Sequence, residues 1–139
     1  MVNIIIITHG EFGARLLECA ESIVGKQEEG ILNIPVPPAK SLEETRKTLA
    51  QAIKDLGSPD GLIIFADIPG GTPMNIAIPL VRNLQKCSVI CGVNVNMLLS
   101  AIAARKHIPF EKLSAKIVED GRRSICEVKN LLTGGGRAI

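Results

Sequence analysis

The sequence predicts an α/β fold: an open parallel sheet of four strands in the order 2-1-3-4, with helices on both faces and a short additional C-terminal strand. Three observations lead to the open α/β architecture, within which the order 2-1-3-4 is the expected arrangement. Aliphatic runs of strand length alternate with longer stretches of helical periodicity, the spacing of right-handed strand–helix–strand units. Hydrophobic residues make up 46% of the 139, yet three are Phe and none is Trp or Tyr. An aliphatic core of this kind suits parallel strands covered on both faces. Polar loops also follow the strands, at the sheet edge where open α/β sheets bind ligands.

Val2 to Ile7 is a nearly continuous aliphatic run and reads as a central strand, ending in Thr8-His9-Gly10. A helix is predicted from Glu11 to Val24, with Leu16, Leu17, Ala20, Ile23 and Val24 at helical spacing and Gly25 closing it. Ile31 to Val36 is the second strand. Ser41 with Glu44 three residues later is a capping box that opens a helix from Leu42 to Leu56, stopped by Gly57 and Pro59. Leu62 to Ala66 is the third strand, and the helix after Thr72 runs to Leu84. Ser88 to Val93 is the fourth strand, followed by helices over Met97–Arg105 and Phe110–Val118. Ile125 to Val128 has a weak period-two pattern and is assigned a short strand. Residues 1–130 are expected to form one domain and 131–139 a tail.

Composition narrows the function classes. The formal net charge is +2 and there is no basic tract, so no nucleic-acid partner is expected. The scarcity of rings also argues against a base-stacking platform. No apolar run reaches the ~18–20 residues that span a bilayer, and nothing resembles a signal peptide. A cytoplasmic location is expected. Cys19, Cys87, Cys91 and Cys126 fit no zinc or C-x-x-C spacing. They read as free thiols buried as small hydrophobes, and neither metal nor cofactor is expected.

The chemistry concentrates in Asp67-Ile-Pro-Gly-Gly-Thr-Pro-Met-Asn75. Asp67 ends the third strand, while Gly70 and Gly71 allow a tight turn and close approach of a ligand. Thr72 is expected to cap the next helix with Pro73 at its first position. Free amides and the helix dipole would then face a phosphate-sized anion. If the first and third strands are neighbours, their ends lie about 4.8 Å apart, which brings His9 within hydrogen-bonding reach of Asp67. A carboxylate on one ring nitrogen leaves the other with a lone pair aimed at the anion site, and it stabilises the cationic ring formed on nucleophilic attack. Gly70, Gly71 and Thr72 would hold the phosphoryl oxygens. His107, in Arg-Lys-His-Ile-Pro, has no such company and reads as a surface residue.

Thr8-His9-Gly10, the Asp67–Asn75 motif and Gly92-Val93-Asn94-Val95-Asn96-Met97-Leu98 together resemble the mannose-family IIA domain of the bacterial sugar phosphotransferase system, over residues 1–130. The resemblance implies that His9 accepts a phosphoryl group on Nε2 from the phosphocarrier protein HPr, with Asp67 on the other ring nitrogen. It implies onward transfer to a IIB domain and, through it, service to the membrane IIC and IID components in sugar uptake. It also implies a homodimer in which a C-terminal strand crosses to the partner's sheet. Thr8, Gly10, Pro69, Asn94, Asn96 and Met97 are expected at the rim where partners dock. Two of these depart from the family pattern: Pro69 replaces a bulky residue, and Asn96 stands where Pro usually precedes Met97.

Rival readings are a phosphate-sensing domain of a transcription activator, the phosphoryl-accepting subunit of a dihydroxyacetone kinase, and a nucleotide-binding module. The kinase subunit would be expected to carry His-Ser where this chain has His9-Gly10. The nucleotide module lacks a Walker motif, since no lysine follows Gly70-Gly71-Thr72.

Overall fold

A computed structural model of the chain describes residues 1–38 and 41–134. Its elements run β1 (Asn3–His9), α1 (Phe12–Val24), β2 (Ile31–Val36), α2 (Leu42–Leu56), β3 (Leu62–Ala66), α3 (Thr72–Val81), β4 (Cys87–Ile90), α4 (Val95–Ala104), α5 (Phe110–Arg123) and α6 (Val128–Thr133). The four strands form one sheet in the order β2-β1-β3-β4, and every pairing is parallel.

Alternate residues of the central strands serve the two faces, as the period of two requires. Ile4 and Ile6 of β1 with Ile63 and Phe65 of β3 pack beneath Ala20 of α1, Leu98 and Ala101 of α4, and Leu113 and Ile117 of α5. Ile5, Ile7, Ile64 and Ala66 pack on the other face with Leu49 of α2 and Ile76 and Ala77 of α3. The strand order reverses between β1 and β3. Ile7 is paired there with Ala66, so His9 and Asp67 emerge side by side at the carboxyl edge.

Several boundaries differ from the sequence expectation. Strand β4 stops at Ile90 because Gly92 takes a positive φ of 78° and turns the chain. Helix α3 ends at Val81, short of Leu84, and carries Pro79 within it. Helix α4 starts early because the Asn94 side chain accepts the Met97 N–H at 2.9 Å and caps it. Helix α5 runs on to Arg123, through Gly121, where a Cβ would stand 2.5 Å from Met97 Cγ. Close packing of α4 on α5 outweighs the low helix propensity of glycine.

The strand expected at Ile125–Val128 is corrected. Ile125 to Glu127 belong to no element, and Glu127 instead caps α6, its carboxylate accepting the Lys129 and Asn130 N–H groups at 3.0 and 2.8 Å. A two-residue alternation is too weak to compete with a local cap. Helix α6 crosses the expected boundary at residue 130, and residues 135–139 of the expected tail lie outside the described residues. The thiols also depart from expectation. Cys19 and Cys126 are exposed and Cys87 and Cys91 half-buried, with burial pushing the Cys87 thiol up to about 11.

Candidate active site

β1 delivers His9 as its last residue, the imidazole about half exposed. Asp67, one residue past β3, has a nearly buried side chain. His9 Nδ1 lies 2.7 Å from Asp67 Oδ2. The same oxygen accepts the His9 backbone N–H at 2.9 Å, and Oδ1 accepts the Ile68 N–H at 2.8 Å. Burial alone would raise the Asp67 carboxyl. The hydrogen bonds from the His9 amide, the His9 ring and the Ile68 amide outweigh it and hold the group below the ordinary carboxylate range. An ionised carboxylate only accepts, so Nδ1 carries the proton and Nε2 keeps its lone pair.

The main chain of Asp67 is fixed in turn, its carbonyl accepting the Gly92 N–H at 2.8 Å. The loop after β4 thus braces the acid rather than merely lining the crevice. On the other side of the ring, a Cβ added to Gly71 would stand 3.4 Å from His9 Cε1. The Gly70–Gly71 turn therefore passes directly beside the imidazole, and Gly70 makes it with φ of 78°.

Thr72 does not cap α3. The N-cap is Gly71, in extended conformation, Thr72 is the first helical residue and Pro73 the second. The glycine carbonyl starts the helix by accepting the Asn75 N–H at 3.0 Å. Among the described residues the Thr72 hydroxyl and the Thr72 and Met74 amides have no hydrogen-bond partner. They are the donors left at the start of α3, directly after the Gly70–Gly71 turn.

The expected docking rim divides. Gly10, Pro69 and Asn96 lie at or near the surface. Thr8 and Met97 do not belong there. Thr8 is fully buried, and its hydroxyl accepts the Gly13 N–H at 2.7 Å, pinning the start of α1 to β1. Met97 is a core residue against Gly121. Asn94 is committed to capping α4. Sequence reasoning missed Gly13, where a Cβ would fall 2.5 Å from Asn33 Oδ1 and 2.9 Å from Thr8 Oγ1. A glycine in the first turn of a helix was the available signal.

The model of the family described as "PTS system fructose IIA component" matches residues 3–118. This chain belongs to the mannose family of phosphotransferase-system IIA components. Such components are phosphotransferases that carry a phosphoryl group in sugar uptake. Among curated relatives, the fructose-specific EIIA component of Bacillus subtilis is 29% identical over 81% of this chain and 77% of its own length. The mannose-specific EIIAB component of Escherichia coli is 33% identical over 92% of this chain, which spans only 40% of that longer protein. Among solved structures, the phosphotransferase system component EIIA from Streptococcus agalactiae superposes with a TM-score of 0.84 at 26% identity, covering 94% of this chain and 99% of its own. No helix among the described residues is long and apolar enough to cross a membrane.

Proposed function

We propose that His9 is the phosphoryl acceptor of this carrier, receiving the group from phospho-HPr and passing it to a IIB domain in the cytoplasm. The observation that carries the reading is the His9 Nδ1 to Asp67 Oδ2 hydrogen bond of 2.7 Å, which leaves Nε2 as the free nucleophile. The Nε2 lone pair forms a bond to phosphorus as the donor's bond to phosphorus breaks. The ring becomes cationic, and the adjacent carboxylate offsets that charge without taking the proton. The Thr72 hydroxyl and the Thr72 and Met74 amides stabilise the phosphoryl oxygens as negative charge gathers on them. Transfer onward is the reverse displacement, with the IIB side chain as nucleophile.

A homodimer through the C-terminal segment belongs to the same proposal. Ile125 and Leu132 are about four-fifths exposed and α6 has no buried residue, which leaves apolar surface for a second copy to cover.

The test of the carrier reading is labelling with phosphoenolpyruvate, enzyme I and HPr. The wild-type chain should acquire one acid-labile, base-stable phosphoryl group, and His9→Ala should acquire none while keeping its fold. Labelling that persists in His9→Ala overturns the reading.

A further inference from the structure

Two side chains of α3 reach back to the turn that carries the phosphoryl site. Asn75 Nδ2 donates to the Gly70 carbonyl at 3.2 Å. Met74 Sδ accepts the Gly70 N–H at 3.3 Å. Both polar groups of one glycine are therefore held by consecutive residues of the helix. The Asn75 backbone N–H also holds the Gly71 carbonyl, at 3.0 Å, and the Gly71 N–H is tied to the Ile68 carbonyl, also at 3.0 Å.

These bonds fix two successive peptide planes. In a planar trans peptide the C=O and N–H point opposite ways. Holding the Gly70 carbonyl on Asn75 sets the 70–71 plane, whose N–H meets Ile68. Holding the Gly71 carbonyl inside the helix start turns the Thr72 N–H outward, away from it. Gly70, at φ 78°, has no side chain to restrict it and would otherwise sample many conformations.

Resting on the carrier reading above, we infer that Asn75 is a positioning residue for phosphoryl transfer, with Met74 as its second clamp. Among the described residues Asn75 makes no hydrogen bond to His9, and its side-chain amide goes to the Gly70 carbonyl instead. Its amide holds the Gly70–Gly71 turn, which passes beside the His9 ring, in the orientation that turns the Thr72 N–H out of the helix start. Preorganised donors of this kind gain their effect by needing no rearrangement as charge develops. Asn75 is exposed on the first turn of α3, so its removal leaves the core untouched.

The experiment measures the phosphorylation rate from phospho-HPr for wild type, Asn75→Ala, Asn75→Asp and Met74→Leu, alongside thermal melts. Asn75→Ala should lower kcat about tenfold, below the ~10²-fold cost of losing an aimed donor outright, with KM for phospho-HPr and the melting temperature nearly unchanged. Asn75→Asp keeps the shape and places an acid near a helix N-terminus, so it should be at least as stable as wild type. It cannot donate to the Gly70 carbonyl, and should be as slow as Asn75→Ala. Met74→Leu keeps the volume and should show a smaller fall. Amide hydrogen exchange of Gly71 in the unphosphorylated protein should quicken in both Asn75 variants, a readout that phosphate repulsion does not touch. Wild-type kcat in Asn75→Ala, restored kcat in Asn75→Asp, or unaltered Gly71 exchange would overturn the inference while the carrier reading stands. A wild-type chain that takes no label overturns both.

Discussion

Replacing Asp67 by Asn separates what the carboxylate does through charge from what it does through shape. In the native site Oδ2 accepts two hydrogen bonds, from the His9 N–H at 2.9 Å and His9 Nδ1 at 2.7 Å. Oδ1 accepts a third, from the Ile68 N–H at 2.8 Å. An amide has one oxygen. If it faces His9, the NH2 is driven against the Ile68 donor. If it faces Ile68, the NH2 meets the His9 amide and forces the ring proton onto Nε2, the nucleophilic atom. Either arrangement sets the NH2 against a donor and gives up at least one hydrogen bond to a charged oxygen, at about 1.5–3 kcal/mol. Loss of the charge that steadies the imidazolium should slow transfer at least tenfold, or ~1.4 kcal/mol in the barrier. The pH dependence has a defined sign. The folded carboxyl lies below its ordinary value, so its stabilisation is present above the ordinary carboxylate pKa and is lost as pH falls through the depressed one. Asp67→Asn should therefore flatten the acid limb of the stability curve. Rapid-quench phosphorylation and urea melts from pH 7 down to 3 measure both effects. A destabilised variant with the wild-type transfer rate would leave Asp67 as a brace for the loop and nothing more.

Thr72→Ala should change stability by less than about 0.5 kcal/mol, since the side chain caps nothing, while slowing phosphorylation severalfold; an unchanged rate would remove Thr72 from the site. Thr8→Val strands the Gly13 N–H and should cost about 1–3 kcal/mol in a urea melt, whereas Thr8→Ser should recover most of it. Neither change should alter KM for phospho-HPr, because Thr8 is buried; a raised KM in Thr8→Ser would return it to the docking rim. Truncation after Gly121, followed by sedimentation, should give a monomeric or aggregating product in place of a homodimer, and a dimer that survives the cut places its interface elsewhere.

The strands, and the approach of His9 to Asp67 once the first and third strands are neighbours, were legible because both depend on coarse features. Aliphatic runs mark the strands, and residues just past neighbouring parallel strands must converge at the switch point. The finer site was less legible because local rules compete there. Thr72-Pro73 has the residue types of an N-cap followed by N1, yet the extended Gly71 takes the cap and moves both one position inward. Thr8 follows the same β1 run as His9, but alternation along the strand points it to the opposite face, into the layer under α1. Met97 and Asn94 sit in a polar motif that reads as a binding loop, although one is packed on Gly121 and the other caps α4. The C-terminal alternation over Ile125–Val128 was outweighed by the Glu127 cap. The roles of Met74 and Asn75 depend on a helix curling back over its own preceding turn, and no periodicity reports that.

Phosphoryl transfer as proposed depends on Asp67 fixing the proton on Nδ1 and leaving Nε2 to take the phosphoryl group. The direct measurement is a long-range 1H–15N spectrum of the protein labelled at histidine nitrogen, recorded before and after treatment with phospho-HPr. A single Nδ1–H tautomer of His9 is expected beforehand and a phosphorus-coupled Nε2 afterwards, with Nδ1 still protonated. A phosphoryl group on Nδ1, or on any residue other than His9, would contradict it.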